Sequence, residues 1–393
     1  MSMTIGLAGK PNSGKSTFFK ATTMSDVEIA NYPFTTINAN RGVAYIRADC
    51  PCTETDKKCG NCDDGIRFVP IEIIDVAGLV PDAHMGRGLG NTFLDELRQA
   101  QAIIHVIDAS GGTDIEGNPV DIGSHDPMDD VDFLNHEITM WMVGILKRNW
   151  TKLSRKIKAE GLKLEYVIAD QLAGAGINDV QVHTAQRNCN LLTDHVKWVD
   201  DDLIKLCDAI RIISKPMIIA ANKADIAPNE NVRNLTGLNM IVVPTSAAAE
   251  LALRSATKSG AISYIPGDSD FTIVSGKLSG AQKTGLENVR TFIKNTGGSG
   301  IQECINKAVF ELLDLIVVYP VEDEGKWIDK NDHMLPDAFL MKKGSTAHDL
   351  AYMVHSDIGD RFLYAVDGRT KMRLGEKHEL NNGDVIKIVS TAK

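Results

Sequence analysis

The N-terminal part of the chain alternates short apolar runs with polar or glycine-rich turns. Runs of this length that lack a polar face are typical of strands buried on both faces of a parallel sheet. With the turn residues that end them, they span 3–8, 71–78, 102–108, 215–221 and 241–247. We therefore predict a doubly wound α/β domain formed by residues 1–110 and 211–305.

A helical pattern separates these two parts. After a loop rich in Gly, Asp and Pro, apolar residues recur every three to four positions in 133–146 and again in 185–206. Two such stretches predict a projecting, coiled-coil-like helical hairpin inserted at 111–210. Basic residues between Lys147 and Lys158 form either an RNA-binding face or an ordinary solvated helix face.

The last part of the chain has a β-rich pattern. Apolar runs predict strands, and residues 346–355 predict a helix capped by Thr346. The predicted strands are 315–319, 338–341, 362–366 and 385–389. A closing helix at 299–315 precedes a small domain over 315–393.

The first candidate site directly follows the first strand. It is a complete phosphate-binding P-loop, a motif that needs a strand before it and a helix after it, and both are predicted here. Its glycines let backbone N–H groups point at phosphate oxygens. Lys15 reaches the β- and γ-phosphates, and the Ser16 hydroxyl is a Mg²⁺ ligand. The loop comprises Gly9, Lys10, Pro11, Asn12, Ser13, Gly14, Lys15, Ser16 and Thr17.

Two further segments are expected to contact Mg²⁺ and the γ-phosphate. Asp75 ends an apolar strand in an Asp-x-x-Gly motif and is a predicted Mg²⁺ ligand. The Gly78 N–H is expected to sense the γ-phosphate, because only glycine lets the backbone come this close. Thr36 is the predicted Mg²⁺ ligand that depends on a γ-phosphate, which makes its loop a switch. Lys15, Thr36 and Gly78 are the candidate catalytic residues.

The predicted base is guanine. Asn222, Lys223 and Asp225 form an Asn-Lys-x-Asp motif after a buried strand. A carboxylate at position 225 accepts hydrogen bonds from N1–H and the exocyclic amine of guanine, whereas adenine offers neither and leaves it unpaired. The Lys223 stem is expected to pack over the base. A backbone N–H of the turn formed by Ser246 and Ala247 is expected to meet guanine O6.

Composition limits the number of domains, the kinds of partner and the cell compartment that we expect. With 393 residues, 43% of them apolar, the chain can form two or three domains. A formal net charge of −10 argues against non-specific coating of nucleic acid. No apolar run approaches a membrane span, and the early P-loop leaves no room for a signal peptide. We expect a cytoplasmic protein with no membrane partner, no DNA specificity and reduced or metal-bound cysteines.

Four of the seven cysteines lie close together, at Cys50, Cys52, Cys59 and Cys62. The surrounding segment, 48–66, is turn-rich and too poor in apolar residues to fold alone. Four thiolates at this density suit tetrahedral Zn²⁺, which would hold the hairpin between two strands of the nucleotide domain. The alternatives are a redox-sensitive thiol patch and inert free thiols.

In this order the motifs resemble those of the Obg–HflX superfamily of GTPases, and within it archaeal members of the YchF-like (Obg-like) branch. The resemblance rests on the P-loop, the Pro-Phe-Thr-Thr switch at 33–36, and the segments 75–81 and 86–94. It implies a Mg²⁺-dependent GTPase whose C-terminal part is a TGS domain, a ubiquitin-like β-grasp module. That domain and the helical insertion imply a ribosome or RNA partner. Several relatives have an altered base motif and prefer ATP; because this chain keeps Asp225, we expect GTP, with ATP as the alternative.

Slow hydrolysis is expected. Many signalling GTPases place a glutamine directly after Asp-x-x-Gly, but here that position is Leu79, which cannot orient water. In relatives with asparagine at the position of Asn12, K⁺ binds beside the β–γ bridge; the alternative is that Asn12 only shapes the turn. His84 either assists a water or is a solvated loop residue. His105 is expected to be a strand residue satisfied by packing and a hydrogen bond.

Three functions remain open on sequence alone. The first is a slow GTPase switch associated with the ribosome or translation. The second is an ATP-hydrolysing, stress- or redox-responsive regulator whose input is the cysteine cluster. The third is a metabolic phosphotransferase, for which the sequence offers no candidate catalytic base.

Overall fold

The protein divides into two compact units. The computed structural model describes residues 3–23, 40–76, 78–79, 81–82, 85, 96–274 and 278–391. One unit comprises Met1–Ala44 and Glu72–Cys304, and the other comprises Tyr45–Ile71 and Ile305–Lys393. Within the described residues no helix is both long and apolar enough to cross a membrane.

A six-stranded sheet forms the centre of the first unit. Its strands lie in the order β2-β3-β1-β4-β5-β6, and β3, β1, β4, β5 and β6 run parallel. The strands are β1 (Thr4–Ala8), β2 (Arg41–Asp49), β3 (Ile66–Asp75), β4 (Ala102–Asp108), β5 (Met217–Asn222) and β6 (Val242–Pro244). Every residue of β1, β4 and β5 is buried, which is why these strands are apolar on both faces. The predicted α/β class is confirmed.

Helices connect these strands. The first, α1 (Lys15–Thr23), begins within the P-loop, at its lysine. The helical segment between β4 and β5 contains α2 (Pro127–Lys147), α3 (Trp150–Glu160), α4 (Leu164–Leu172), α5 (Asp179–Asn188) and α6 (Asp200–Ser214). After β5 come α7 (Asn229–Thr236), α8 (Ala247–Lys258), the short strands β7 (Ile262–Ser263) and β8 (Thr272–Ile273), α9 (Gly280–Thr296) and α10 (Ile301–Lys307).

The helical insertion corrects one prediction. It is a bundle of five helices rather than a projecting coiled-coil-like hairpin, and its last helix continues to Ser214. Its apolar side chains share one buried core with residues of the sheet, such as Ile74 and Ile103. Trp150 and Trp198 stack inside it with ring centroids 5.3 Å apart. The hairpin prediction was wrong because the helices bury their apolar faces against the sheet and each other.

The C-terminal part of the second unit is a five-stranded sheet. Its order is β10-β9-β13-β11-β12, with β9 and β13 parallel and the other pairs antiparallel. The strands are β9 (Leu315–Val321), β10 (Phe339–Lys342), β11 (Phe362–Asp367), β12 (Arg373–Leu374) and β13 (Val385–Ser390). The helix α11 (Ala347–Val354) packs its buried residues against this sheet and begins at a capping box formed by Thr346 and Asp349. A short helix, Ser356–Asp360, follows α11. A central parallel pair with α11 packed on the sheet is the predicted β-grasp arrangement.

The cysteine-rich hairpin belongs to this second unit. The division between units falls inside β2 and β3, so Tyr45–Ile71 groups with the C-terminal residues. The sequence analysis had placed segment 48–66 in the nucleotide domain because it lies between two of that domain's strands. Sequence position was misleading here, since side chains of the hairpin and the adjoining strand, such as Asn61 and Arg67, hydrogen-bond to residues after 305.

Candidate functional site

The site lies at the carboxyl edge of the six-stranded sheet. In neighbouring strands Leu7 pairs with Asp75, and Asp108 pairs with Asn222. The P-loop follows β1, and the turn at Ser246 follows β6. Because parallel strands end at the same edge, five loops converge there, which is where open α/β sheets bind ligands.

Two glycines of the P-loop are required by space as well as by conformation. Gly9 has φ 149° and Gly14 has φ 100°. A Cβ on Gly9 would lie 2.3 Å from the Val106 carbonyl oxygen, and one on Gly14 would lie 2.1 Å from Nδ2 of Asn222. Any side chain at either position would displace backbone or the Asn222 amide.

Lys15, Ser16 and Asp75 lie together and form the candidate phosphate end of the site. The Lys15 ammonium is buried and donates to the Lys10 carbonyl oxygen at 3.0 Å. The Ser16 hydroxyl donates to Asp75 Oδ2 at 3.2 Å, while Asp75 Oδ1 is buried and has no partner among the described residues. Burial lowers the pKa of Lys15 and raises the pKa of Asp75, and the attraction between the two charges opposes both shifts. An orphaned carboxylate oxygen beside a hydroxyl fits a hard divalent cation.

Gly78 lies against this group. A Cβ at Gly78 would be 3.3 Å from the Lys15 Nζ and 3.4 Å from Pro11. Leu79, the next residue, is 2% exposed and packs in the core shared by the sheet and the helical insertion. Thr36, His84 and the whole segment 86–94 lie outside the described residues.

Asn222 joins the phosphate end to the base end. Its Nδ2 donates to the Ser13 carbonyl oxygen at 2.9 Å, and its Oδ1 accepts from the Ala247 N–H at 3.0 Å. The Ser246 N–H donates to the Ser299 carbonyl at 2.9 Å. The N–H groups of both turn residues, one of which was expected to meet guanine O6, therefore have protein partners here. Asn222 also links two loops, a role that its base motif did not predict.

The residues after Asn222 form the candidate base-recognition loop. Lys223 adopts φ 60°, and its ammonium lies 2.8 Å from Asp108 Oδ2. Asp225 is exposed. The loop is held to the residue after β6 by the Ala224 N–H, which donates to the Thr245 carbonyl at 3.0 Å.

Asp108 is a site residue that the sequence analysis passed over. Its carboxylate is fully buried and also accepts hydrogen bonds from Ser110 and Thr113. Burial alone would raise its pKa, but the hydrogen bonds from Lys223, Ser110 and Thr113 outweigh burial and lower it. The available signal was an aspartate ending the apolar run 102–108.

The loop after β4 covers the P-loop. Lys10, 1% exposed, donates to the Thr113 carbonyl at 2.8 Å and pairs with Asp130 at 2.9 Å. Asn12 Nδ2 donates to the Gly117 carbonyl at 2.9 Å. The loop after β4 and the first turn of α2 thus hold the P-loop in place, although composition predicted only a loop rich in Gly, Asp and Pro over 111–130.

His105 agrees with its prediction in strand position and packing but not in hydrogen bonding. It is buried in β4, and Nδ1 has no hydrogen-bond partner within the described part of the chain. Burial, with the nearby charges of Lys15 and Lys10, lowers its pKa to about 3. His105 is therefore a neutral core residue at physiological pH.

The cysteine cluster forms a second candidate site, in the other unit. Sγ of Cys50 lies 3.7 Å from that of Cys59, and Cys62 lies 3.4 Å from Cys52 and 3.5 Å from Cys59. All four sulfurs lie within 4.8 Å of one another. The four cysteines that the spacing grouped are brought together.

Three family models match the chain. A 50S ribosome-binding GTPase model matches residues 4–136, an Obg-like GTPase YGR210-like, G4 motif-containing domain matches residues 220–323, and the TGS domain matches residues 331–390. The first covers the P-loop and Asp75, and the second covers the Asn-Lys-x-Asp motif.

Relatives match over nearly the whole chain. An uncharacterized GTP-binding protein of Methanocaldococcus jannaschii is 52% identical, with 99% of each chain covered. The ribosome-binding ATPase YchF of Bacillus subtilis is 28% identical, covering 93% of this chain and 88% of the relative. A crystal structure of a GTP-binding protein from Pyrococcus horikoshii OT3 is 44% identical with a TM-score of 0.77, covering 99% of this chain and 100% of the other. The site, the domain matches and these relatives agree: the chain belongs to the YchF-like (Obg-like) family of P-loop GTPases that carry a C-terminal TGS domain.

Proposed function

We propose that this protein binds GTP with Mg²⁺ and hydrolyses it slowly, as a conformational switch that acts on the ribosome. The observation that carries the proposal is the Asn222 clamp, which bonds the P-loop at Ser13 and the turn at Ala247 at the same time. It holds the phosphate-binding loop and the base-recognition loop together at one edge of the sheet. A nucleotide bound there meets both loops.

Base selection is assigned to Asp225. The exposed carboxylate follows a lysine whose ammonium is fixed by the buried Asp108, so the loop is ordered before a base arrives. Guanine satisfies such a carboxylate with two donors, whereas adenine presents none to it. This supports GTP, although YchF of Bacillus subtilis and the Obg-like ATPase 1 of Rattus norvegicus are named as ATPases.

Phosphate binding is assigned to the P-loop and α1. Lys15 would turn from the Lys10 carbonyl to the β- and γ-phosphates, and the loop N–H groups would add their donors. Ser16 and Asp75 would hold Mg²⁺, which when bound neutralises charge on the phosphates. Thr36 is the proposed further ligand when the γ-phosphate is present, and the Gly78 N–H is the proposed hydrogen-bond donor to that phosphate.

Slow turnover follows from Leu79. Its side chain is buried in the core, so it cannot reach a water at the γ-phosphate. Hydrolysis then depends on a group from a partner or on a cation. K⁺ beside Asn12 is one such cation. The hydrogen bond to the Gly117 carbonyl uses only the amide nitrogen of Asn12, so the amide oxygen is the proposed K⁺ ligand. Faster turnover in K⁺ than in Na⁺ buffer would support it, and equal rates would eliminate it.

The ribosome is the proposed partner on two grounds. The relative from Bacillus subtilis is named a ribosome-binding ATPase, and the model matching residues 4–136 is that of a 50S ribosome-binding GTPase. The TGS domain and the helical insertion are the proposed contact regions. Two lysines of the basic stretch already pair with acids, Lys147 with Asp200 and Lys158 with Asp194, which weakens the case for that stretch.

Competition binding tests the nucleotide assignment. GTP and ATP should compete for bound radiolabelled GTP with affinities that differ at least about a hundredfold. Asp225→Asn should shift preference toward xanthosine triphosphate, because the amide donates to the C2 carbonyl of xanthine. Asp201→Asn, an exposed residue on α6, is the matched control and should behave as the native protein. Equal affinity for ATP and GTP in the native protein would refute the assignment. Co-sedimentation with ribosomes in the GTP-analogue and GDP states tests the partner; equal absence from the pellet in both states would refute it.

A further inference from the structure

The cysteine cluster has the dimensions of an occupied tetrahedral metal site. Tetrahedral Zn–S bonds of about 2.3 Å place neighbouring sulfurs about 3.8 Å apart. Three of the sulfur pairs lie 3.4, 3.5 and 3.7 Å apart, and all four sulfurs lie within 4.8 Å. These distances are far longer than a disulfide bond of about 2.05 Å, and all four cysteines are free.

The backbone around the cysteines is shaped for a ligand. A 3₁₀ helix, Pro51–Glu54, turns the chain between Cys50 and Cys59, and Gly60 adopts φ 76° directly after Cys59. The Asn61 N–H points at Cys59 Sγ at 3.4 Å. Amide N–H groups directed at sulfur stabilise thiolate ligands and fix their orientation.

The hairpin lacks an apolar core of its own. Cys50 and Cys52 are buried, at 0% and 5% exposure, whereas most residues from 53 to 65 are exposed or half-buried. Four thiols packed together contribute little to stability without a metal, and structural zinc sites supply folding free energy directly. From these observations we propose that Cys50, Cys52, Cys59 and Cys62 bind one structural Zn²⁺ ion.

The hairpin that this ion closes is part of the second unit. Arg369 donates to both carboxylate oxygens of Glu54 at 2.7 and 2.6 Å. Arg67 donates to the Pro336 carbonyl at 2.9 Å, and the Tyr319 hydroxyl donates to the Asp49 carbonyl at 3.1 Å. The zinc ion would therefore stabilise the hairpin that contacts β9 and two loops of the β-grasp domain.

Metal analysis of the full-length protein, purified without chelator, tests the site. We expect about one zinc ion per chain. Cys62→Ser, at a half-buried position, should abolish zinc binding, whereas the matched control Cys189→Ser, a half-buried thiol in the helical insertion, should retain it. Replacement by Co²⁺ should give the visible absorption bands of a tetrahedral thiolate site. Zinc well below half an ion per chain, iron in its place, or unchanged zinc in Cys62→Ser would each overturn the proposal.

A second measurement separates the metal's role from simple misfolding. Hydrogen exchange after chelation should accelerate in 45–71 and in the C-terminal residues, and it should stay unchanged in the P-loop. GDP binding by Cys62→Ser should also remain within about twofold of the native value, which would show that the first unit is folded. Unchanged exchange in 45–71 after the metal is removed would contradict a structural role.

Discussion

Asn222→Ala provides a quantitative test of the site, because the side chain makes two buried hydrogen bonds to different loops. The alanine leaves the Ser13 carbonyl and the Ala247 N–H without their partner, and both residues are at most 1% exposed. Each buried group left unpaired costs about 1–3 kcal/mol, so the free energy of unfolding should fall by about 2–6 kcal/mol. The Ser13 carbonyl belongs to the P-loop, so part of this loss should appear in nucleotide binding.

Chemical denaturation and calorimetric titration with GDP measure the two effects separately. If at least about 1.4 kcal/mol appears in binding, the dissociation constant rises tenfold or more. Asn234→Ala is the matched control, since this asparagine is exposed on α7. A native-like unfolding free energy together with native-like GDP affinity in Asn222→Ala would refute the idea that this side chain unites the site.

Three further changes test other parts of the argument. Leu79→Gln places an amide in an apolar core, so it should lower the unfolding free energy by about 1–3 kcal/mol. GTP turnover should not rise. Faster turnover with native stability would contradict the explanation of slow hydrolysis by the buried Leu79. The pKa of Asp108 is held below its usual value by side-chain hydrogen bonds from three residues, Lys223, Ser110 and Thr113. The contribution of the Asp108 carboxylate to the free energy of unfolding is thus complete above its unfolded pKa of about 3.9. It is lost as the pH falls through the lower folded pKa. Asp108→Asn should flatten the pH dependence of the unfolding free energy below about pH 4. An unchanged pH dependence in that range would argue against the Lys223–Asp108 ion pair. Glu54 and Arg369 are partly exposed, so Glu54→Ala should lower the free energy of unfolding, measured by thermal denaturation, by less than about 1 kcal/mol. A larger loss would mean that this ion pair, rather than a metal, stabilises the hairpin.

Local patterns predicted the elements around the P-loop and the β-grasp domain well. The strand, turn and helix around Lys15 are specified by neighbouring residues, and Thr346 caps its helix as expected. The predicted strand at 315–319 corresponds to Leu315–Val321. Such elements depend on residue spacing and on glycine conformation, both of which are visible in a sequence.

Features that depend on contacts between distant residues were not predictable. The Trp150–Trp198 stack helps to make a bundle from helices whose periodicity suggested a hairpin. The Asn222 side chain was expected only as part of a base motif, because its bond to Ser13 joins residues far apart in the sequence. The grouping of the cysteine hairpin with the C-terminal residues has the same origin, since bonds such as that from Arg67 to Pro336 leave no local signature.

The four tryptophans are unevenly distributed. Trp141, Trp150 and Trp198 lie in the helical insertion, and Trp327 lies in the second unit, where its indole N–H donates to the Gly368 carbonyl at 3.0 Å. The P-loop and the loops after β5 and β6 contain none. Intrinsic fluorescence therefore monitors the two regions proposed to contact the ribosome. A change in tryptophan emission on adding nucleotide would show that binding at the P-loop alters the structure of one of these regions.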